Sequence, residues 1–126
     1  MRPKTLAEVA LRASRGDSFD RCLANFLDDF NAAPSASALF AEPSLLAPSL
    51  GERGGLQDAY LAATAEYLAG CHGLPVPAWV LADERKLSRP WFASPLAALR
   101  AVLILESPAA FRSRNLFVSE NALSRA

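Results

Sequence analysis

The sequence predicts an all-α fold, a compact orthogonal bundle of about five or six helices joined by proline-rich connectors, and three observations predict it. Of 126 residues, 25 are Ala and 20 Leu, whereas Val, Ile and Thr together supply only eight, a bias toward helix formers and away from strand formers. Apolar residues recur three and four apart within the longer segments, the period of a helix buried along one face. Nine prolines and six glycines punctuate those segments. With 52% hydrophobic and 21% charged residues the chain lies far from the disordered regime, and its length fits one domain. That single helical domain divides into an N-terminal helix pair (1–33), an ordered connector (34–55) and a helical C-terminal part (56–126).

Thr5-Leu6-Ala7-Glu8 matches a capping box, so a short helix should run to about Ser14 before Gly16 ends it. Asp17 or Ser18 caps a second helix, reaching Asn31, whose stripe of Phe19, Cys22, Leu23, Phe26, Leu27 and Phe30 requires a core or a partner to cover it. From Asn31 to Gly55, prolines and glycines frame a helical turn at 35–41 and the Leu45-Leu46 pair, too apolar for a solvated tether. A third helix is expected from about Leu56 to Cys71, with Tyr60, Leu61, Thr64, Ala65 and Leu68 inward and Gly73 as its stop. Pro75 and Pro77 exclude a central strand at 74–80, and Pro77 opens a short turn carrying Trp79 and Val80. Asp83-Glu84-Arg85-Lys86 reads as a solvated charged stretch. Ser94-Pro95 starts a fourth helix, Leu96 to Leu105, apolar on most faces and therefore expected at the centre of the bundle. Ser107-Pro108 starts a short helix at 109–113, Asn115 is a left-handed stop, Leu116-Phe117-Val118 is briefly extended, and Ser119 caps a last turn with Ala122 and Leu123.

Thirteen basic residues balance thirteen acidic ones, so no global field steers the chain to nucleic acid or an anionic membrane. Cys22 and Cys71 stand among apolar neighbours, outside any metal spacing, and read as reduced core thiols in a cytoplasmic protein. Glu8 and Arg12 interrupt the apolar run that an export signal needs, and ten apolar residues at 96–105 fall short of a membrane span. Phosphate-loop, dinucleotide-binding, zinc-protease and serine-hydrolase motifs are absent, and no metal or cofactor is expected.

Four constellations remain. His72, the only histidine, sits at a helix terminus, where a cap is the ordinary role; a small hydrolase-type enzyme would instead need it to converge with Tyr60 or Tyr67 and Glu66. Asp28 and Asp29, near Asp20 and Glu8, point about 100° apart on a helix and read as a solvated face. Arg112, Arg114 and Arg125, interleaved with Phe111 and Phe117, form the one basic patch, suited to weak nucleic-acid binding or to a protein interface. Trp79, Trp91 and Phe92 lie in proline-framed connectors and either lock them to the bundle or mark a docking surface.

The segments Leu74-Pro75-Val76-Pro77-Ala78-Trp79-Val80, Pro90-Trp91-Phe92, Leu99-Arg100-Ala101, Glu106 to Val118 and Ala122-Leu123-Ser124-Arg125 resemble a family of uncharacterised bacterial helical domains found alone or behind a helix-turn-helix domain. The resemblance covers about Leu56 to Ala126, and its motifs are structural. It implies an antitoxin or regulatory partner of a nucleotidyltransferase-like toxin. The chain departs from the two-part arrangement, with no room expected before Leu56 for a separate helix-turn-helix domain, which puts direct operator binding in doubt while leaving the toxin-side role implied. The sequence thus leads to a non-catalytic protein-interaction module, binding another protein or a second copy of itself. The residues expected to serve it are Phe19, Phe26, Trp79, Trp91, Phe92, Arg112, Arg114 and Phe117.

Overall fold

The chain folds around its longest helix. The computed structural model describes residues 2–94, 96, 99–119 and 122–123. Seven α-helices lie among them: α1 (Leu6–Ser14), α2 (Phe19–Ala32), α3 (Ser37–Phe40), α4 (Ala47–Leu50), α5 (Glu52–His72), α6 (Arg100–Glu106) and α7 (Ala109–Arg112). Two short 3₁₀ turns, Ala78–Leu81 and Asp83–Arg85, follow α5, and β1 (Trp91–Phe92) pairs with β2 (Leu116–Phe117). The expected all-α class is what the chain adopts.

Local signals set the first two helices. Thr5 is extended, its Oγ1 accepts from Glu8 N–H at 3.1 Å, and Glu8 Oε2 accepts from Lys4 N–H at 3.2 Å, which satisfies two amides at the open end of α1. Ser18 Oγ accepts from Arg21 N–H at 3.2 Å and starts α2. The apolar stripes then meet: Leu6, Val9, Ala10 and Ala13 of α1, and Cys22, Leu23, Phe26, Leu27 and Phe30 of α2, are all buried in one core.

Helix α5 begins four residues before the expected Leu56 and takes Gly54 and Gly55 into its first turns. Gly54 is required there by close approach. A Cβ at this position would stand 2.3 Å from the Leu46 carbonyl oxygen, so only glycine lets α4 and its lead-in lie against α5. Further along, Ala59, Leu61, Ala62, Ala63, Thr64, Ala65, Leu68 and Ala69 are buried on every side of α5, because small side chains let neighbours approach from several directions at once. Gly73, at φ 64°, ends it in the left-handed conformation, with Leu74 N–H returning to the Ala69 carbonyl at 2.8 Å.

The expectation of a central fourth helix is corrected. Among the described residues of that segment the helix starts at Arg100, and only Leu103 of α6 is buried. Pro95, expected at its first position, lies outside the described residues. The central place belongs to α5, because its alanines pack closely where the bulky Leu, Val and Ile side chains of α6 would hold neighbours apart.

The expected extended stretch at 116–118 has a partner that the sequence did not reveal. β1 and β2 run parallel, with Trp91 opposite Leu116 and Phe92 opposite Phe117, and α6 and α7 form the crossover between them. Asn115, at φ 63°, supplies the left-handed bend expected of it, and its Nδ2 donates to the Leu87 carbonyl at 2.7 Å.

Candidate interaction surfaces

Two buried arginines decide which surfaces remain free. Arg85 was expected in a solvated stretch, and the structure corrects this: Asp83 and Lys86 are exposed, while the intervening 3₁₀ turn swings Arg85 inward until it is 1% exposed. Its guanidinium meets Asp58 of α5, also fully buried, at 3.7 Å, donates to the Pro43 carbonyl and lies 4.9 Å over the Trp79 ring. Asp58 accepts from Leu46 N–H at 2.7 Å and Ala47 N–H at 3.1 Å. Trp79 Nε1 donates to the Leu39 carbonyl at 3.0 Å. One polar cluster therefore ties the 39–47 connector, α5 and the 3₁₀ turns together, with Asp58, Arg85 and Trp79 each hydrogen-bonded to a backbone group of the connector. Burial lowers the Arg85 pKa from the usual arginine value, and Asp58, Glu42 and Glu84 oppose that shift.

Arg114 is the second. It donates to Glu66 at 2.8 Å, to the Val80 carbonyl at 2.9 Å and to the Ala110 carbonyl at 2.6 Å, which leaves its guanidinium no face for a phosphate. Arg112 is exposed and Arg125 lies outside the described residues, so among the described residues the expected three-arginine patch reduces to Arg112. Ser107 adds an internal clamp: its hydroxyl accepts from Val118 N–H at 2.6 Å and lies 3.0 Å from the Val118 carbonyl.

Of the eight residues expected at a partner surface, Phe26, Trp79 and Arg114 are buried in the chain's own core. Their burial has a common cause. The α2 stripe finds its cover on α1 and α5, and the connector that carries Trp79 is pulled inward by Arg85. Phe92 and Phe117 are half-buried and stack across the two strands, ring centroids 5.0 Å apart. Phe19 and Trp91, also half-buried, line an open groove of about 480 Å³ with Leu23 and Leu27 of α2 and Leu56 and Tyr60 of α5. Asp20, Arg53 and Gln57 give this groove its polar atoms, and the Gln57 side-chain oxygen is buried without a hydrogen-bond partner. Burial, then the Asp20 carboxylate, pushes the Tyr60 phenol up to about 12, so it is a neutral hydrogen-bonding group at ordinary pH.

The second open surface is α6. Leu99, Val102, Ile104 and Leu105 are exposed, Leu105 at 82%, with Leu96 beside them in sequence, while Leu103 on the opposite side is 7% exposed. Other exposed apolar side chains, such as Phe40, Val76 and Leu81, are spread along the chain. Isolated apolar residues on a surface are ordinary, whereas a helix apolar all round and covered on one side is not. Arg100, its guanidinium 5.1 Å over the Phe92 ring, and Glu106 mark the two ends of this face.

The residues that an enzyme would need each have a partner of their own. His72 sets its ring edge against Phe30 at 5.3 Å, Glu66 pairs with Arg114, and Tyr60 and Tyr67 both pack on Phe111. Asp28 and Asp29 face the Arg2 guanidinium at 3.5 and 3.1 Å. Both cysteines are free thiols; Cys22 is buried as expected, whereas Cys71, expected in the core, is exposed because it follows the last buried turn of α5. Among the described residues no three His, Cys, Asp or Glu side chains gather into a metal-binding group, and no helix is long and apolar enough to cross a membrane. Compared with protein-family models, curated proteins and solved structures, the chain matches none.

Proposed function

We propose that this chain is a non-catalytic protein-interaction module whose contact surface is the outward face of α6. The observation that carries the reading is the exposure of Val102, Ile104 and Leu105 on one short helix, with Leu99 at its start and Leu96 adding to it. Their exposed fractions add up to between two and three whole side chains, and covering that much apolar surface is worth about 4–8 kcal/mol at the usual value for a buried aliphatic side chain. A partner supplies this cover. The low formal charge favours an apolar contact over phosphate recognition, and Arg114, committed to Glu66, adds nothing to a nucleic-acid surface. The resemblance of the C-terminal half to helical domains encoded beside nucleotidyltransferase-like toxins supports the same kind of activity, an antitoxin or regulator acting by contact.

Site-specific photo-crosslinking inside the producing cell tests this reading. A photoreactive residue at Leu105 should yield a discrete adduct, and one at the exposed Asp83 should not. Equal yields from both positions would contradict a contact surface on α6.

A further inference from the structure

We infer that the groove between α2 and α5 binds an apolar α-amino acid, its side chain against the aromatic wall and its charged head between Asp20 and Arg53. The inference does not depend on the α6 face. At about 480 Å³ the groove has the size of a small-molecule site, in which apolar and aromatic side chains form most of the lining and a few polar groups fix orientation. Phe19 and Tyr60, edge to face at 6.3 Å, and Trp91 supply the rings.

The polar groups gather at one end. A second opening, beside the turn at Gly16, is also lined by Phe19, Asp20, Arg53 and Gln57, so these four stand where the two openings meet. Asp20 comes from the α2 side and Arg53 from the α5 side; both are exposed, and neither enters an ion pair among the described residues. Opposite charges left unpaired on the two walls choose the head of the ligand by complementarity. A lone amine would face the Arg53 guanidinium, and a lone carboxylate would face Asp20, whereas a head with both an ammonium and a carboxylate answers each wall. Gln57 lies one turn beyond Arg53 on α5, and its buried oxygen lacks a donor. An ammonium N–H is such a donor, and a turn of the flexible Gln57 side chain brings the two together. Tyr60 stays neutral and adds no second negative charge beside Asp20. The rest of the lining, Leu23, Leu27 and Leu56 with the rings, suits an apolar side chain and not a further length of peptide backbone.

Titration with L-phenylalanine, followed by the two indole N–H signals in nuclear magnetic resonance spectra, tests the site. The Trp91 signal should move and saturate, with a dissociation constant of about 1 mM or tighter for a ligand of about a dozen heavy atoms, while the signal of Trp79, bonded to the Leu39 carbonyl, stays in place. Phenethylamine and 3-phenylpropanoate, each lacking one charge of the head, should bind at least about tenfold more weakly, and glycine should leave Trp91 unmoved. Arg53→Met should abolish the preference for phenylalanine over phenethylamine, and Asp20→Asn the preference over 3-phenylpropanoate; both positions are exposed, so circular dichroism should be unchanged. A Trp91 signal that stays still well above that concentration, equal binding of the amine or the acid, or preferences untouched by both variants would overturn the assignment. None of these results bears on photo-crosslinking at Leu105, which stands or falls separately.

Discussion

Replacing Asp58 by Asn removes one charge from the buried cluster and changes the side-chain volume very little. In the folded chain the Asp58 carboxylate accepts from two backbone amides, at 2.7 and 3.1 Å, and stands 3.7 Å from the Arg85 guanidinium. An amide keeps one acceptor, turns an N–H₂ group toward an N–H, and leaves Arg85 buried without its counter-charge. Breaking one partner of a buried pair costs about 3–5 kcal/mol, a large share of the roughly 5–15 kcal/mol that holds a domain folded. Urea unfolding followed by tryptophan fluorescence should therefore show the midpoint of Asp58→Asn falling by about 2 M. The double variant Asp58→Asn/Arg85→Met should recover part of the loss, because no unpaired charge remains. Lys86→Met, which removes an exposed pair with Asp83, should change stability by less than about 1 kcal/mol. A midpoint for Asp58→Asn within about 0.5 M of wild type, or strict additivity in the double variant, would refute the claim that this cluster fixes the connector to α5.

Three further outcomes follow from the packing and burial of single residues. Gly54→Ala should destabilise by about 1–3 kcal/mol, since its Cβ would meet the Leu46 carbonyl, whereas Gly55→Ala, with open space beside it, should stabilise by about 0.5 kcal/mol; thermal melts of the two variants check the contrast. The Tyr60 phenol titrates near 12 in the folded chain against an ordinary 10.0, so the folded state favours the neutral form. Stability from this group is complete below pH 10 and declines by about 2 kcal/mol as pH rises toward 12, and burial of Cys22 acts in the same direction from its ordinary 9.0 upward. Phenolate absorbance and unfolding curves across that range should show both effects, and Tyr60→Phe should remove the tyrosine part. A thiol reagent should find one fast cysteine in the native chain, Cys71, and a second only on unfolding, Cys22.

Helices with one apolar stripe were legible from the sequence. The caps at Thr5 and Ser18, the stripe of α2, the turn at Ser37–Phe40, the stop at Gly73 and the left-handed Asn115 all depend on local chemistry, and each occurs where the residues place it. Tertiary choices were not legible. That Arg85 turns inward while its neighbours Glu84 and Lys86 stay out depends on Asp58, distant in sequence and fully buried on α5. The parallel pairing of β1 with β2 joins two-residue segments too short to show a period. For α6 and α5, composition pointed the wrong way: the greasier helix was expected inside, yet the alanine-rich one occupies the centre because its surface admits neighbours on all sides. The expected surface residues divide for the same reason, Phe19 and Trp91 reaching an open groove while Phe26, Trp79 and Arg114 complete the core.

The most direct measurement is the thiol-labelling rate of Leu103→Cys and of Leu105→Cys, each in the Cys22→Ala/Cys71→Ser background and in dilute protein. These positions lie two residues apart on α6, one turned inward and one outward. A cysteine at 105 should react nearly as fast as in the unfolded chain and one at 103 far more slowly, which is the signature of a bare apolar face waiting for its cover. Equal protection at both positions would mean that α6 is enclosed by its own chain and presents no interaction surface.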